Sequence, residues 1–237
     1  MKTVTILHLY YQDLWKEFWE LIKPTISEES RLIITLPEHH REMVVKYESI
    51  SPFIKCRVYP NYGADIRPFL LVVKELLENG EDISAVIKLH TKKSIHSHNS
   101  SNFGEFWRKS LYTDLLLHKD YLLQVLKEDP EVGMIAKKDW FVYEPKDSTN
   151  YEVEKEGILS AARLFNLNVD KLNYHYVTGT MFIASFTYLK ELLTNSNLSE
   201  ILEKTQEEHT PSGTLAHGIE RIFSYGLNTY NKKIILI

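Results

Sequence analysis

Along this chain, short runs of aliphatic and β-branched residues alternate with longer stretches whose apolar positions return every three or four residues. That alternation predicts strands joined by crossover helices. Strands are expected over 4–9, 31–35, 54–59, 85–89 and 132–136. The run 85–89 lacks flanking polar alternation, which marks a central, parallel strand. Helices are expected over 14–22, where Leu14, Phe18, Leu21 and Ile22 share a face and Pro24 stops the pattern. Further helical patterns cover 38–47, 68–77, 106–126 (as one helix or two), 158–164, 188–193, 198–204 and 215–223. Pro68 suits a first helical turn, where its missing N–H costs nothing, and Thr214 stands where an N-cap is wanted. Residues 176–184 read as a strand with Gly179 inside it, the usual mark of a bulge or a close backbone approach. Residues 234–237 read as an edge strand. No repeat, low-complexity segment or Gly/Ser linker interrupts the series, so one α/β domain is expected.

Composition supports that reading and narrows the partners. With 237 residues, 43% of them hydrophobic and 12% aromatic, the chain can bury a full core. Its 28 Lys and Arg against 32 Asp and Glu give a net charge of −4, so no nucleic-acid partner is expected. The basic residues that do cluster are Lys88, Lys92 and Lys93. A single cysteine, Cys56, excludes an internal disulfide and a multi-cysteine metal site; its apolar neighbours suggest a buried thiol in a reducing compartment. The N-terminal apolar run is too short for a signal peptide, and nowhere do about eighteen apolar residues run together, so no transmembrane segment is expected. A cytoplasmic location follows, with peripheral attachment at the inner face of a membrane left open.

The chemistry concentrates at strand ends. Ala85–Leu89 opens into His90, Thr91, Lys92, Lys93 and Ser94, and ligands in open α/β sheets bind at the C-terminal ends of strands. Before it, Asn61, Tyr62, Gly63, Ala64, Asp65, Ile66 and Arg67 form a polar turn leading into an apolar helix. Asp65 can serve that helix start as a cap or macrodipole partner, or bind sugar or ribose hydroxyls; Asn61 and Gly63 can shape the turn. Tyr10 follows the first strand and can stack on a base or pack at the rim, and Thr35, ending the second strand, belongs to the same candidate rim. Trp107 suits a core anchor and Arg108 a phosphate or acceptor ligand. His217, Glu220 and Arg221 share one side of a helix at spacings of three and four, where they can pair with one another or, if buried, support a site floor or reach a ligand. His90, His96 and His98 alternate without a carboxylate partner, a weak zinc pattern.

Five blocks in order, residues 61–69, 88–94, Trp107-Arg108, 179–182 and 213–221, resemble the rhamnan synthesis protein F family over nearly the whole chain. The resemblance implies a GT-A-like, Rossmann-like α/β fold with a mixed, mainly parallel sheet. It further implies a glycosyltransferase of bacterial cell-surface polysaccharide or O-antigen synthesis, associated with rhamnose transfer. Residues 1–136 would then form the nucleotide-sugar-binding half and 137–237 the acceptor and catalytic half. The donor would be a nucleoside-diphosphate sugar such as TDP-rhamnose, and the acceptor a glycan or lipid-linked glycan, with partner glycosyltransferases possible. GT-A enzymes mostly hold the diphosphate with an Asp-x-Asp motif and a divalent cation at the end of the fourth strand. This chain has His90, Lys92 and Lys93 there, so direct contact without a cofactor is favoured over Mg²⁺ or Mn²⁺. Gly179 and Thr180 would bring small backbone beside acceptor or sugar. Glu208 and Glu207 are the candidate catalytic bases, ahead of the last helix. The resemblance calls for Asp immediately before Gly213; Ser212 stands there instead and is a poor base at neutral pH. A non-catalytic glycan- or nucleotide-binding module is the alternative.

Overall fold

The computed structural model describes residues 1–93, 103–206 and 212–237. Ser94, His96, His98, Glu207 and Glu208 therefore lie outside the described residues. The strands are β1 (Thr3–His8), β2 (Ser30–Pro37), β3 (Ile54–Tyr59), β4 (Ala85–His90), β5 (Val132–Ala136), β6 (Phe141–Tyr143), β7 (His175–Val177), β8 (Phe182–Ser185) and β9 (Lys233–Leu236). The α-helices are α1 (Trp15–Ile22), α2 (Val44–Glu48), α3 (Ile66–Glu78), α4 (Phe103–Leu117), α5 (Lys119–Glu128), α6 (Thr149–Leu164), α7 (Phe186–Thr194), α8 (Leu198–Lys204) and α9 (Leu215–Tyr225).

Seven strands form one mixed sheet in the order β3-β2-β1-β4-β8-β5-β9. Neighbours pair in parallel except β8, which runs antiparallel between β4 and β5. This is the Rossmann-like, mainly parallel α/β arrangement in a single domain. Strand alternation divides the core between two faces. Val4, Ile6 and Val86 pack with α3, α6, α7 and α9, whereas Leu7, Leu9, Ile87 and Leu89 pack with α1, α4 and α5. β4 is central as expected, but its partner on the β8 side is antiparallel.

Several elements differ from the local pattern for identifiable reasons. The run 176–184 is not one strand. Gly179 and Thr180 take left-handed backbone at φ 80° and 42°, so β7 pairs with β6 in a separate two-stranded sheet while β8 enters the main sheet. The β6 strand is three residues long and carries no periodicity to read. The helix expected over 158–164 is the second half of α6, which starts at Thr149 because Ser148 caps it, its hydroxyl accepting from Tyr151 N at 3.1 Å. The 38–47 pattern is mostly a pair of 3-10 turns, broken at His40 (φ −114°), before the short α2. The 106–126 pattern is two helices separated at His118.

The last helix is set against α6 at very short range. A Cβ on Gly218 would lie 2.1 Å from the Gly157 carbonyl oxygen, and one on Gly157 would lie 2.4 Å from that of Thr214. Only glycine permits this approach. Thr214 caps α9 as expected, and the buried Glu154 carboxylate of α6 accepts from Gly213 N at 2.9 Å. The start of α9 is thereby fixed against the rest of the molecule.

Candidate functional site

From β1 the chain steps to β2 and β3 on one side, then returns to add β4 on the other. Such a reversal leaves a crevice outside the strands' C-terminal ends. His8 ends β1 and His90 ends β4, directly opposite each other in register. Both are buried, and burial pushes each imidazole down to about 4, so both are neutral at physiological pH. His8 Nδ1 pairs with the buried Thr35 hydroxyl at 2.9 Å. His90 Nε2 lies 2.7 Å from the Gly179 carbonyl oxygen, which can only accept, so Nε2 carries the proton.

Period two along β4 sets Lys88 on the α3 face beside Val86, with only 1% of its surface exposed. Its ammonium pairs with the Asp65 carboxylate and donates to the Thr180 carbonyl and hydroxyl oxygens, each at 3.1 Å. The Thr180 hydroxyl donates to Asp65 at 3.2 Å. Burial opposes ionisation of Asp65, yet its carboxyl is held well below the usual range by His90 and Lys88. Because His90 is itself neutral near pH 7, Lys88 supplies that compensation. Asp65 occupies the N-cap position of α3 without making a side-chain cap bond. Lys88 is therefore not part of a surface patch: its charge is spent inside the fold on holding Asp65 and the 179–180 turn.

The buried Lys88 stands behind a cleft of about 100 Å³ whose lining includes its partners Asp65 and Thr180. Asp65, His90, Lys92 and Thr180 line it from one side, with Gly179, His217 and Glu220 completing it. Glu220 Oε1 accepts from Gly179 N at 3.2 Å, and its other oxygen lies 3.9 Å from Arg221 Nη1. Burial raises the Glu220 carboxyl above the usual value, against the pull of Lys92 and Arg221. Among the described residues, no carboxylate pairs with Lys92; its ammonium lies 4.2 Å from the centre of the Trp107 ring. His217 Nδ1 is 2.8 Å from the Thr214 hydroxyl.

The remaining residues singled out by sequence stand around this cleft rather than in it. The buried Thr91 hydroxyl accepts from the Tyr10 and Tyr11 amides, each at 2.9 Å, and thus ties the ends of β1 and β4 together. Tyr10 packs edge-on against Tyr11 and His39. Lys93 pairs with Asp13. Arg108 is spoken for: it makes a fork with Glu17 at 2.8 and 2.9 Å and donates to the Lys92 carbonyl at 3.1 Å, so it positions the Lys92 backbone. Arg67 reaches the Leu202 carbonyl at 3.1 Å, and Asn61 is exposed in the turn before α3. Arg221 points away from the cleft into a fork with buried Glu144 at 2.7 and 2.9 Å, which Tyr225 also donates to at 2.6 Å. Among the described residues, no three His, Cys, Asp or Glu side chains gather as metal ligands would.

A larger, open depression of about 520 Å³ runs along α4 past Glu105, Lys109 and Asp114. Among the described residues its polar groups come from one helix, and Glu105 pairs with Lys109. The smaller cleft draws its groups from four separate segments, the end of β4, the start of α3, the turn before β8 and α9, and convergence of that kind marks a site. Sequence reading missed His8, Glu17 and Glu144 as supports. A titratable side chain at the end of a strand rich in aliphatic and β-branched residues was the available sign for His8; the two glutamates serve partners 91 and 77 residues away, beyond any local pattern.

The model of a family described as rhamnan synthesis protein F matches residues 1–232. An uncharacterized protein named WxcX from Xanthomonas campestris pv. campestris strain B100 is 30% identical over 231 residues, covering 91% of this chain and 30% of that protein. Its counterpart in a second strain of that pathovar is 29% identical, with the same coverage. This chain thus spans about 30% of the length of those relatives. A solved structure described as that of a mycobacterial protein matches 79% of this chain and 53% of its own, at 11% identity and a TM-score of 0.38, too low to carry an argument.

Proposed function

Because this chain belongs to the rhamnan synthesis protein F family, whose members take part in rhamnan and polysaccharide synthesis, we propose that it is a glycosyltransferase acting at the β1/β4 switch-point cleft. It moves a sugar, rhamnose first among the candidates, from a nucleoside-diphosphate donor onto a growing cell-surface glycan. The observation that supports this best is Lys92, a cation without a carboxylate partner among the described residues, in a cleft whose Asp65 is already paired with Lys88. When the bond to the sugar breaks, negative charge grows on the leaving diphosphate, and a cation placed in advance lowers that barrier. His90 is held neutral and spends its N–H on Gly179, so the task falls to Lys92. At about 100 Å³ the cleft suits the reacting portion of a donor, since pockets for whole drug-sized ligands run to roughly 300–1,000 Å³.

The test is a thermal-shift titration with nucleoside diphosphates and nucleotide sugars, TDP and UDP forms included, each with and without Mg²⁺ or Mn²⁺. Binding to the native state raises the melting temperature by mass action, with about 2.7 kcal/mol of stabilisation at one hundred times Kd. Lys92→Ala should remove that rise yet move the melting temperature of the free protein only slightly, because a half-buried cation–π contact contributes on the order of 1 kcal/mol. A rise seen only with metal would put the diphosphate on a cation instead of on Lys92. No rise with any donor would favour a non-catalytic glycan-binding module.

A further inference from the structure

Transfer to a hydroxyl also requires a group that accepts its proton, within hydrogen-bond reach of the attacking oxygen. Of the titratable side chains lining the cleft, most are disqualified by their bonds. Asp65 is locked to Lys88 and the Thr180 hydroxyl. The ring of His90 donates to Gly179 on one side, and its Nδ1 faces Asp65 Oδ1 at 3.8 Å on the other. His217 turns Nδ1 to the Thr214 hydroxyl. Glu220 is differently placed. One oxygen is steadied by the Gly179 amide, and the carboxylate lies on the cleft wall with Lys92 among the charges acting on it.

We propose that Glu220 is the catalytic base, taking the proton of the acceptor hydroxyl as that oxygen attacks the sugar. This rests on the transferase reading. In the step, the acceptor O–H bond breaks and its proton passes to the Glu220 carboxylate. The oxygen's electron pair forms the new bond to the anomeric carbon, and the bond from that carbon to the diphosphate oxygen breaks. Its electrons leave on the diphosphate toward Lys92. Burial raises Glu220 toward the working pH, the direction that suits a general base.

The experiment measures release of nucleoside diphosphate from TDP-rhamnose and UDP-glucose with water as the acceptor, beside donor-induced thermal shift. Glu220→Gln keeps an oxygen for the Gly179 amide, so the fold and donor binding should persist. Release should fall by about 10²–10⁴-fold, the usual contribution of such a group. The wild-type pH profile should lose activity on its acid side, a limb set by Glu220 under the influence of Lys92, His90, Asp65, His217 and Arg221, and Glu220→Gln should abolish that limb. Release within tenfold of wild type in Glu220→Gln overturns the assignment, as does its persistence there with loss in His217→Asn. Loss of donor-induced stabilisation in Glu220→Gln makes the residue a binding group and overturns it too. A wild-type protein that binds a donor but releases no nucleoside diphosphate also counts against Glu220, whereas one that binds no donor overturns the transferase reading itself.

Discussion

Lys88 is accommodated at 1% exposure because every one of its donors has a partner: Asp65 and two oxygens of Thr180. A buried pair of this kind gains little over an apolar pair, but breaking it strands the remaining charge. Lys88→Met should therefore cost roughly 3–5 kcal/mol in urea denaturation, and adding Asp65→Asn should restore part of the loss. A single-substitution cost under about 1 kcal/mol would mean that Asp65 finds water or another cation. The polar residues after β4 and before α3 were legible because charge at the end of an apolar run is conspicuous. What could not be read was their division of labour. Lys88, Lys92 and Lys93 look alike in sequence, yet one is a buried brace, one faces a cleft and one pairs with Asp13. Arg108 and Arg221 likewise read as ligands, and both are occupied by glutamates distant in sequence. The acidic pair Glu207-Glu208 drew attention as a base, while Glu220 passed as a support, since burial is invisible in a charge pattern.

At the scale of elements, the site depends on how tightly α9 lies against α6. Their crossing leaves no room for a methyl group at Gly218, and the clashing atom is backbone, which cannot rotate away. Gly218→Ala should destabilise by roughly 1–3 kcal/mol or more, read as a lower denaturation midpoint at unchanged slope. Since α9 carries His217 and Glu220, the same variant should weaken donor binding without touching either. The five long strands and the start of α9 were readable from period and capping. The split of 176–184 was not, because Tyr176 through Ala184 is apolar and β-branched on both sides of Gly179, a pattern that a bulge within one strand fits equally, and only the backbone turn at Gly179 and Thr180 sends its halves into different sheets. Nor was the first half of α6, whose Glu152, Glu154, Lys155 and Glu156 mask the helical stripe.

For the whole molecule, the two neutral histidines at the sheet's switch point set a pH response. Each binds a proton at about 4 in the fold against an ordinary 6.5, so between those values the unfolded chain holds more protons and stability falls as pH falls. Glu220, raised by burial, acts in the opposite sense but as one group against two. The melting temperature should be level above about pH 6.5 and drop steadily toward pH 4, and replacing His8 or His90 by Gln should flatten that slope. A level melting temperature down to pH 5 would show that the imidazoles charge without penalty. Overall strand order also has a consequence in time. β8 fills the gap between β4 and β5, yet it follows β4 by roughly 90 residues, or about 5–20 seconds of synthesis at ~5–20 residues per second. During that interval the nascent chain carries an apolar strand with one bare edge, at the place where the cleft will later be built, and such an edge invites pairing with another chain. A ribosome-bound intermediate that ends before residue 182 is the form of this protein most in need of a chaperone.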